Sequence, residues 1–309
     1  MGFGNWTTVS YFVLLGFNDL EDVKMILFSL FLTAYLLTLL GNIGMAMIIW
    51  TSPQLHTAMY FFLFNLNLID AIIATNATPK MLSNFLTETP LISPLGCAAQ
   101  IYFAVSLGSA ECFVLVLMGY DRYIAICHPL HYVAIMTKHR CLQLLAISYI
   151  SGFLHSIIHT AATFSFPICR SDIHHFSCDI QALLKLFCKE TLINEILLYT
   201  FSSAITATCL VATVISYICI SDAILKTHTT SGRLKLFSTC ASHLLSVALF
   251  FGSLLFMYMR PNSSYHENDL SASVFYTVAI PMLNPFIYSL RNKDVKIAVW
   301  RKMSIMARK

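Results

Sequence analysis

The sequence predicts an all-α membrane protein: a seven-transmembrane helix bundle with its N-terminus outside and a short amphipathic helix after the seventh span. Three observations predict it. First, only 11% of the 309 residues are charged and 57% are hydrophobic, with a mean hydropathy of +0.72, whereas a soluble domain carries about 25% charged residues. Second, seven stretches reach the roughly 20 apolar residues needed to cross hydrocarbon. Third, the few charges are sorted by sign between the segments that join those stretches. The 23 Phe, 14 Tyr and 3 Trp exclude a disordered chain. No internal repeat, Gly/Ser linker or low-complexity tract divides the sequence, so 1–309 reads as one domain.

In chain order, 1–24 reads as an extracellular tail. It lacks the basic region and cleavage site of a secretory signal peptide, so the first span serves as an uncleaved anchor. Met1-Gly2 is followed at the sixth position by Trp6, where myristoylation needs Ser or Thr. Asn5-Trp6-Thr7 is a glycosylation sequon placed for modification at Asn5; Asn76-Ala77-Thr78 lies in a span and Asn262-Ser263-Ser264 close to the membrane. The spans fall at 25–50, 59–80, 98–120, 141–163, 195–220, 237–259 and 271–290. Each helix satisfies its own backbone hydrogen bonds, as lipid requires. Runs such as Leu27–Leu40 do not alternate in the way β-barrel strands do. The connections are short apart from about 164–194. The stretch 291–309 is a cytoplasmic tail, amphipathic from about 292 to 303 and suited to a lipid surface.

With the N-terminus outside, the inner segments 51–57, 121–140, 221–236 and 291–309 hold thirteen Lys or Arg against Asp121, Asp222 and Asp294. The outer segments hold six basic residues against ten acids. This is a strong positive-inside bias. The net charge of +4 therefore reflects an inner face that meets anionic lipid, and does not point to nucleic acid. Asp70 and Glu111 remain at membrane depth, where an ionisable group is costly and marks a functional site. Two carboxylates facing each other there share a proton or a cation.

Four cysteines fall outside: Cys97, Cys169, Cys178 and Cys188. They allow three pairings that counting alone leaves open. Joining Cys97, at the head of the third span, to the long loop would hold that loop as a lid over the bundle. The other six cysteines read as small buried hydrophobes. His174-His175 lacks companions at zinc-ligand spacing, so no structural metal is expected. His155 and His159, four apart in the fourth span, read as packing or pocket lining.

Three long motifs stand in matching spans: Met118-Gly119-Tyr120-Asp121-Arg122-Tyr123-Ile124-Ala125-Ile126-Cys127 at the inner end of the third, Lys235-Leu236-Phe237-Ser238-Thr239-Cys240-Ala241-Ser242-His243 at the start of the sixth, and Pro281-Met282-Leu283-Asn284-Pro285-Phe286-Ile287-Tyr288 in the seventh. With Leu40-Gly41-Asn42, Leu68-Ile69-Asp70, Ser216-Tyr217 and His174-His175-Phe176-Ser177-Cys178-Asp179, they cover nearly the whole chain. The sequence resembles the olfactory receptors, a branch of the rhodopsin-like G-protein-coupled receptors, in its tetrapod-type class. Gly119 for Ala, Ala58 for Pro and Phe251 for Tyr are departures from the family pattern.

The resemblance implies disulfides Cys97–Cys178 and Cys169–Cys188. It implies a switch made of Asp121, Arg122, Tyr217, His243, Asn284, Pro285 and Tyr288, with Tyr217 and His243 as resting partners of Arg122, because 231–235 at the foot of the sixth span holds no acid. Pro285 frees a backbone carbonyl and permits a hinge. The family's sodium pocket corresponds to Asp70 and Glu111. The ligand pocket corresponds to Ala104, Val105, Gly108 and Ser109 in the third span, His159 in the fourth, Phe201, Ser202 and Ile205 in the fifth, Phe251, Leu254, Leu255 and Tyr258 in the sixth, and Ser273 and Thr277 in the seventh. Such walls suit a small, mostly apolar odorant, and Ala104 leaves no acid to anchor a cationic amine. The implied partners are a volatile ligand, a stimulatory G protein that raises cAMP, and plasma-membrane lipid. A lipid or peptide receptor is the nearest rival. A transporter would need broken, repeated helices, and an enzyme would need motifs that are missing.

Overall fold

The computed structural model describes residues 10–17, 22–188, 192–227, 229–258, 267–291 and 293–306. Seven helices in it are long and apolar enough to cross a membrane. They are α1 (Lys24–Thr51), α2 (Ala58–Phe85), α3 (Pro94–Cys127), α4 (Lys138–Phe164), α5 (Leu192–Leu225), α6 (Thr230–Tyr258) and α7 (267–291), with α8 (Lys293–Met306) beyond them. We call the end of the bundle bearing the N-terminal segment the N-face and the opposite end the C-face. The outward surfaces carry bare apolar side chains such as Leu40, Trp50, Ile150 and Ile218, while Asn42, Asp70, Glu111, His243 and Asn284 are buried. That inverts the soluble pattern, as hydrocarbon solvent demands.

Local chemistry sets the ends. Ser93 caps α3, its Oγ accepting from Gly96 N at 3.1 Å with Pro94 in the first turn. Thr137 does the same for α4 through Arg140 N. α3 and α5 each run 34 residues, well past the spans read from hydropathy, because a helix continues where lipid ends. α4 crosses close to α3: the Ser106 carbonyl lies 2.4 Å from where a Cβ on Gly152 would stand, so only glycine permits the approach.

α7 is composite. It is α-helical over Glu267–Val274, π-helical over Phe275–Ala279 and α-helical over Ile280–Arg291. Pro281, two residues past the π turn, has no N–H to donate, so the ladder must be interrupted there. The Pro281 carbonyl, whose helical donor would be the missing N–H of Pro285, accepts from buried Asn42 Nδ2 at 2.8 Å, which ties α1 to α7. Gly41 admits the Pro285 ring beside it.

The N-face adds three short strands to the helical bundle. β1 (Phe12–Leu14) lies between β2 (Leu91–Ile92), antiparallel, and β3 (Asp172–Ile173), parallel. Within the segment 1–24, the described residues 10–17 are anchored: Phe12 is wholly buried among Ile92, Ile173 and Leu183. Both implied disulfides are formed, Cys97–Cys178 pinning the long loop to α3 and Cys169–Cys188 closing it on itself. On the C-face α8 buries Val295 and Ala298 and exposes Ile297 and Trp300, the split of an interfacial helix. Arg301 donates to Gln54 at 2.8 Å and holds it against the α1–α2 turn.

Candidate functional site

The polar residues buried in the bundle form three levels from the N-face to the C-face. The first is a cavity of about 130 Å³ between α3, α4, α5, α6 and α7, roofed by the long loop. Nine residues expected from the sequence line it: Ala104, Val105, Gly108, Ser109, Ser202, Ile205, Leu254, Ser273 and Thr277. Four others do not. Phe201 turns outward and is 44% exposed, so it faces lipid. Phe251 packs in the core edge-on to Phe250, ring centres 5.3 Å apart. Leu255 is half-buried off the wall. His159 is buried behind it, edge-on to both Phe201 and His155. The side chain of Tyr258 lies outside the described residues, as does Asn5.

The cavity also takes residues the sequence reading missed. His155, one turn from His159, lines it in place of that residue. Ile101 and Cys112 continue the face of Ala104, Val105 and Gly108, and Leu198 and Thr206 flank Ser202 at four-residue spacing. Helical periodicity could have found these four. The roof is His175, Ser177, Cys178, Asp179 and Ile180, placed by the Cys97–Cys178 bridge. Asp179 Oδ1 is engaged as the cap of the short helix Ile180–Leu184, accepting from Gln181 N at 2.9 Å. Tyr276 enters from the π turn, its hydroxyl 2.8 Å from where a Cβ on Gly108 would stand.

The second level is carboxylate-rich. Asp70 Oδ2 accepts from Asn284 Nδ2 at 2.9 Å. Asp70 Oδ1, Glu111 Oε1 and Asn284 Oδ1 are buried with no hydrogen-bond partner among the described residues. Unpaired acceptors buried together are expensive, and the set is all oxygen, which suits a hard cation or a proton. No group of three or more His, Cys, Asp or Glu placed to hold a metal ion occurs among the described residues.

The third level is a latch. Tyr217 Oη and His243 Nδ1 are 2.7 Å apart with the rings stacked, and His243 Nε2 lies 2.9 Å from the Leu115 carbonyl. A carbonyl only accepts, so Nε2 carries the proton and Nδ1 accepts from the tyrosine. This joins α5, α6 and α3 through a fully buried ring. The sequence reading is corrected here: Tyr217 and His243 hold each other and not Arg122. Asp121 does not hold Arg122 either. It accepts from Tyr132 Oη at 2.7 Å, whereas the Lys226–Asp222 pair is the only ion pair among the described residues. Burial and the adjacent Asp121 carboxylate push the Tyr132 phenol above its usual range, keeping it a donor. Arg122 Nε is buried without a partner among the described residues. Tyr288 is buried below Asn284, and Pro285 packs on Gly41.

A seven-helix membrane bundle with a roofed cavity at one end and a polar latch at the other is the frame of a G-protein-coupled receptor. The family model described as "Olfactory receptor" matches residues 31–306. Relatives include Olfactory receptor 5AP2 of Mus musculus, 51% identical over 297 residues that cover 96% of this chain and 94% of the relative. Olfactory receptor-like protein OLF1 of Canis lupus familiaris is 48% identical over 304 residues, 98% of each chain. Olfactory receptor 5I1 of Homo sapiens is 48% identical over 296 residues, covering 95% of this chain and 94% of the relative. The chain belongs to the olfactory receptor family, whose members are multi-pass membrane receptors and not enzymes.

Proposed function

We propose that this receptor sits in the plasma membrane with its N-face outside, binds a small, mostly apolar odorant in the roofed cavity, and activates a stimulatory, olfactory-type G protein to raise cAMP. One observation carries the reading. α5 and α6 each bear both a cavity wall and half of the latch: Ser202 and Ile205 with Tyr217, and Leu254 with His243. Leu254 and His243 lie about 16 Å apart along the helix, at about 1.5 Å per residue. A ligand that changes the spacing of α5 and α6 at the cavity therefore loads the Tyr217–His243–Leu115 bonds. Breaking them frees the C-face end of α6 to move outward from α3 and bares the surface around Arg122. The thirteen basic residues of the inner sequence segments suit both anionic lipid and a G protein.

Asp70, Glu111 and Asn284 would hold a sodium ion or a proton that stabilises the resting state; their unpaired oxygens support that assignment. Asn5 is the proposed glycosylation site on the outer segment.

The test is a cAMP reporter in cells displaying the full chain with an olfactory-type G protein, screened against volatile libraries. A dose-dependent rise to a subset of volatiles is expected. Response only to a lipid or peptide would overturn the odorant reading.

A further inference from the structure

Ser109 fixes the proton on a histidine that faces the cavity. Its Oγ lies 2.7 Å from the Val105 carbonyl and 2.8 Å from His155 Nδ1. The carbonyl can only accept, and serine has one proton. The hydroxyl proton therefore goes to Val105, and Ser109 Oγ must accept from His155. Nδ1 carries the hydrogen, and Nε2 is left with a bare lone pair. That Nε2 has no partner among the described residues and is itself closed off, on a side chain only 8% exposed that lines the cavity, so a ligand reaches this nitrogen by parting the wall around it. An imidazolium would instead leave an N–H there with nothing to accept it. The other ring nearby, His159, meets His155 edge-on and supplies no hydrogen bond to it.

We infer that His155 Nε2 is the polar anchor of the cavity, and that the ligand it selects carries a hydrogen-bond donor: an alcohol or phenol hydroxyl. This rests on the odorant reading above and narrows it. A ketone, aldehyde or ether presents only lone pairs, which repel that of Nε2. A carboxylate is excluded further, because no lysine or arginine lines the cavity among the described residues and Asp179 stands in its roof. The hydroxyls of Ser202, Thr206, Ser273 and Thr277 both donate and accept, so they add binding without setting this preference.

Two measurements test it on the full chain. The first needs no ligand: nitrogen-15 spectra of the histidine-labelled receptor in detergent, with His155→Phe identifying one signal pair among the 11 histidines. A protonated Nδ1 with a bare Nε2 is expected; a proton on Nε2 overturns the inference. Ser109→Ala, which leaves the ring in place, is expected to move the proton to Nε2.

The second is a cAMP dose response to matched probes on one carbon skeleton: octanol, methyl octyl ether, octanal and octanoic acid, then the corresponding terpenoid and phenyl sets. A responding skeleton should prefer the alcohol over its ether by about tenfold in half-maximal concentration, the worth of one hydrogen bond. Ser109→Ala should erase or reverse that ratio. Equal or better response to the ether or aldehyde overturns this inference and leaves the receptor reading intact. Silence from every probe and every volatile, in cells displaying the chain at their surface, overturns the receptor reading and this inference with it.

Discussion

The close approach of α4 to α3 is the most exacting contact in the bundle. In Gly152→Ala the new methyl would stand 2.4 Å from the Ser106 carbonyl oxygen and 3.2 Å from Ala110 N, where real contacts stay beyond 3.0 Å. Both are backbone atoms, so the helices must part by at least about 0.6 Å. Two hydrogen bonds span the same seam: Ser156 Oγ to the Tyr102 carbonyl at 2.6 Å and Ser109 to His155 at 2.8 Å. The same displacement would stretch them to about 3.2 Å and 3.4 Å, where such bonds weaken. Overpacking costs about 1–3 kcal/mol and each weakened bond a fraction of about 1 kcal/mol. The helix propensity of alanine returns about 0.8–1 kcal/mol. The net expectation is a loss of about 2 kcal/mol.

Gly44→Ala and Gly252→Ala are the controls, since nothing lies within 4 Å of either new methyl and both should keep the propensity gain. A thiol-reactive fluorophore reads the melt of the detergent-purified receptor through buried Cys112, Cys141, Cys209 and Cys240. If Gly152→Ala melts with or above the two controls, the close-contact reasoning is refuted.

Tyr217→Phe leaves His243 Nδ1 without its donor; the melting midpoint should fall by the equivalent of about 1 kcal/mol and basal cAMP should rise, and an unchanged basal level would count against the latch. Glu111→Gln removes one of the two carboxylates, so basal signalling should lose its dependence on sodium concentration; an undiminished dependence would sink the sodium proposal. Replacing both Cys169 and Cys188 by serine opens a loop with a sequence separation of 19, with an expected cost of about 3 kcal/mol concentrated in the roof. Proteolysis of the long loop should accelerate in that variant while the Cys97–Cys178 bridge stays intact, and equal cleavage rates would refute the role given to the second bridge.

The bundle was legible in the sequence because lipid imposes a length and a composition that hydropathy reports directly. The helix ends were not: α3 and α5 outrun the hydrocarbon, and nothing apolar marks where they stop. The three strands hold two or three residues each, too few for an alternating pattern, and pair only because the disulfides and the buried Phe12 bring distant segments together. Nine of the expected residues line the cavity because faces of α3, α5, α6 and α7 repeat at helical spacing. His155 and His159 share a face of α4, so sequence could not decide which reaches inward; the rotation that lets Gly152 meet Ser106 decides it. Phe251 looked like wall, but an aromatic of its volume fills the core beside Phe250 instead. The partners of Arg122 failed for a different reason: a histidine has two nitrogens, and both are already spoken for.

The sheet at the N-face has its earliest-made strand in the middle. β1 leaves the ribosome first, yet each of its edges waits for a segment made much later, Leu91–Ile92 after two spans and Asp172–Ile173 after four. Until both arrive, Phe12 and Leu14 have nowhere to bury. The roof of the ligand cavity is thus completed only when the first, third and fifth connecting pieces of the chain have all reached the same side of the membrane. A receptor with one span inverted could still form apolar helices, but it could not close this sheet. Three short strands thereby become a topology check on the whole molecule, made at the surface where a quality-control factor would meet it.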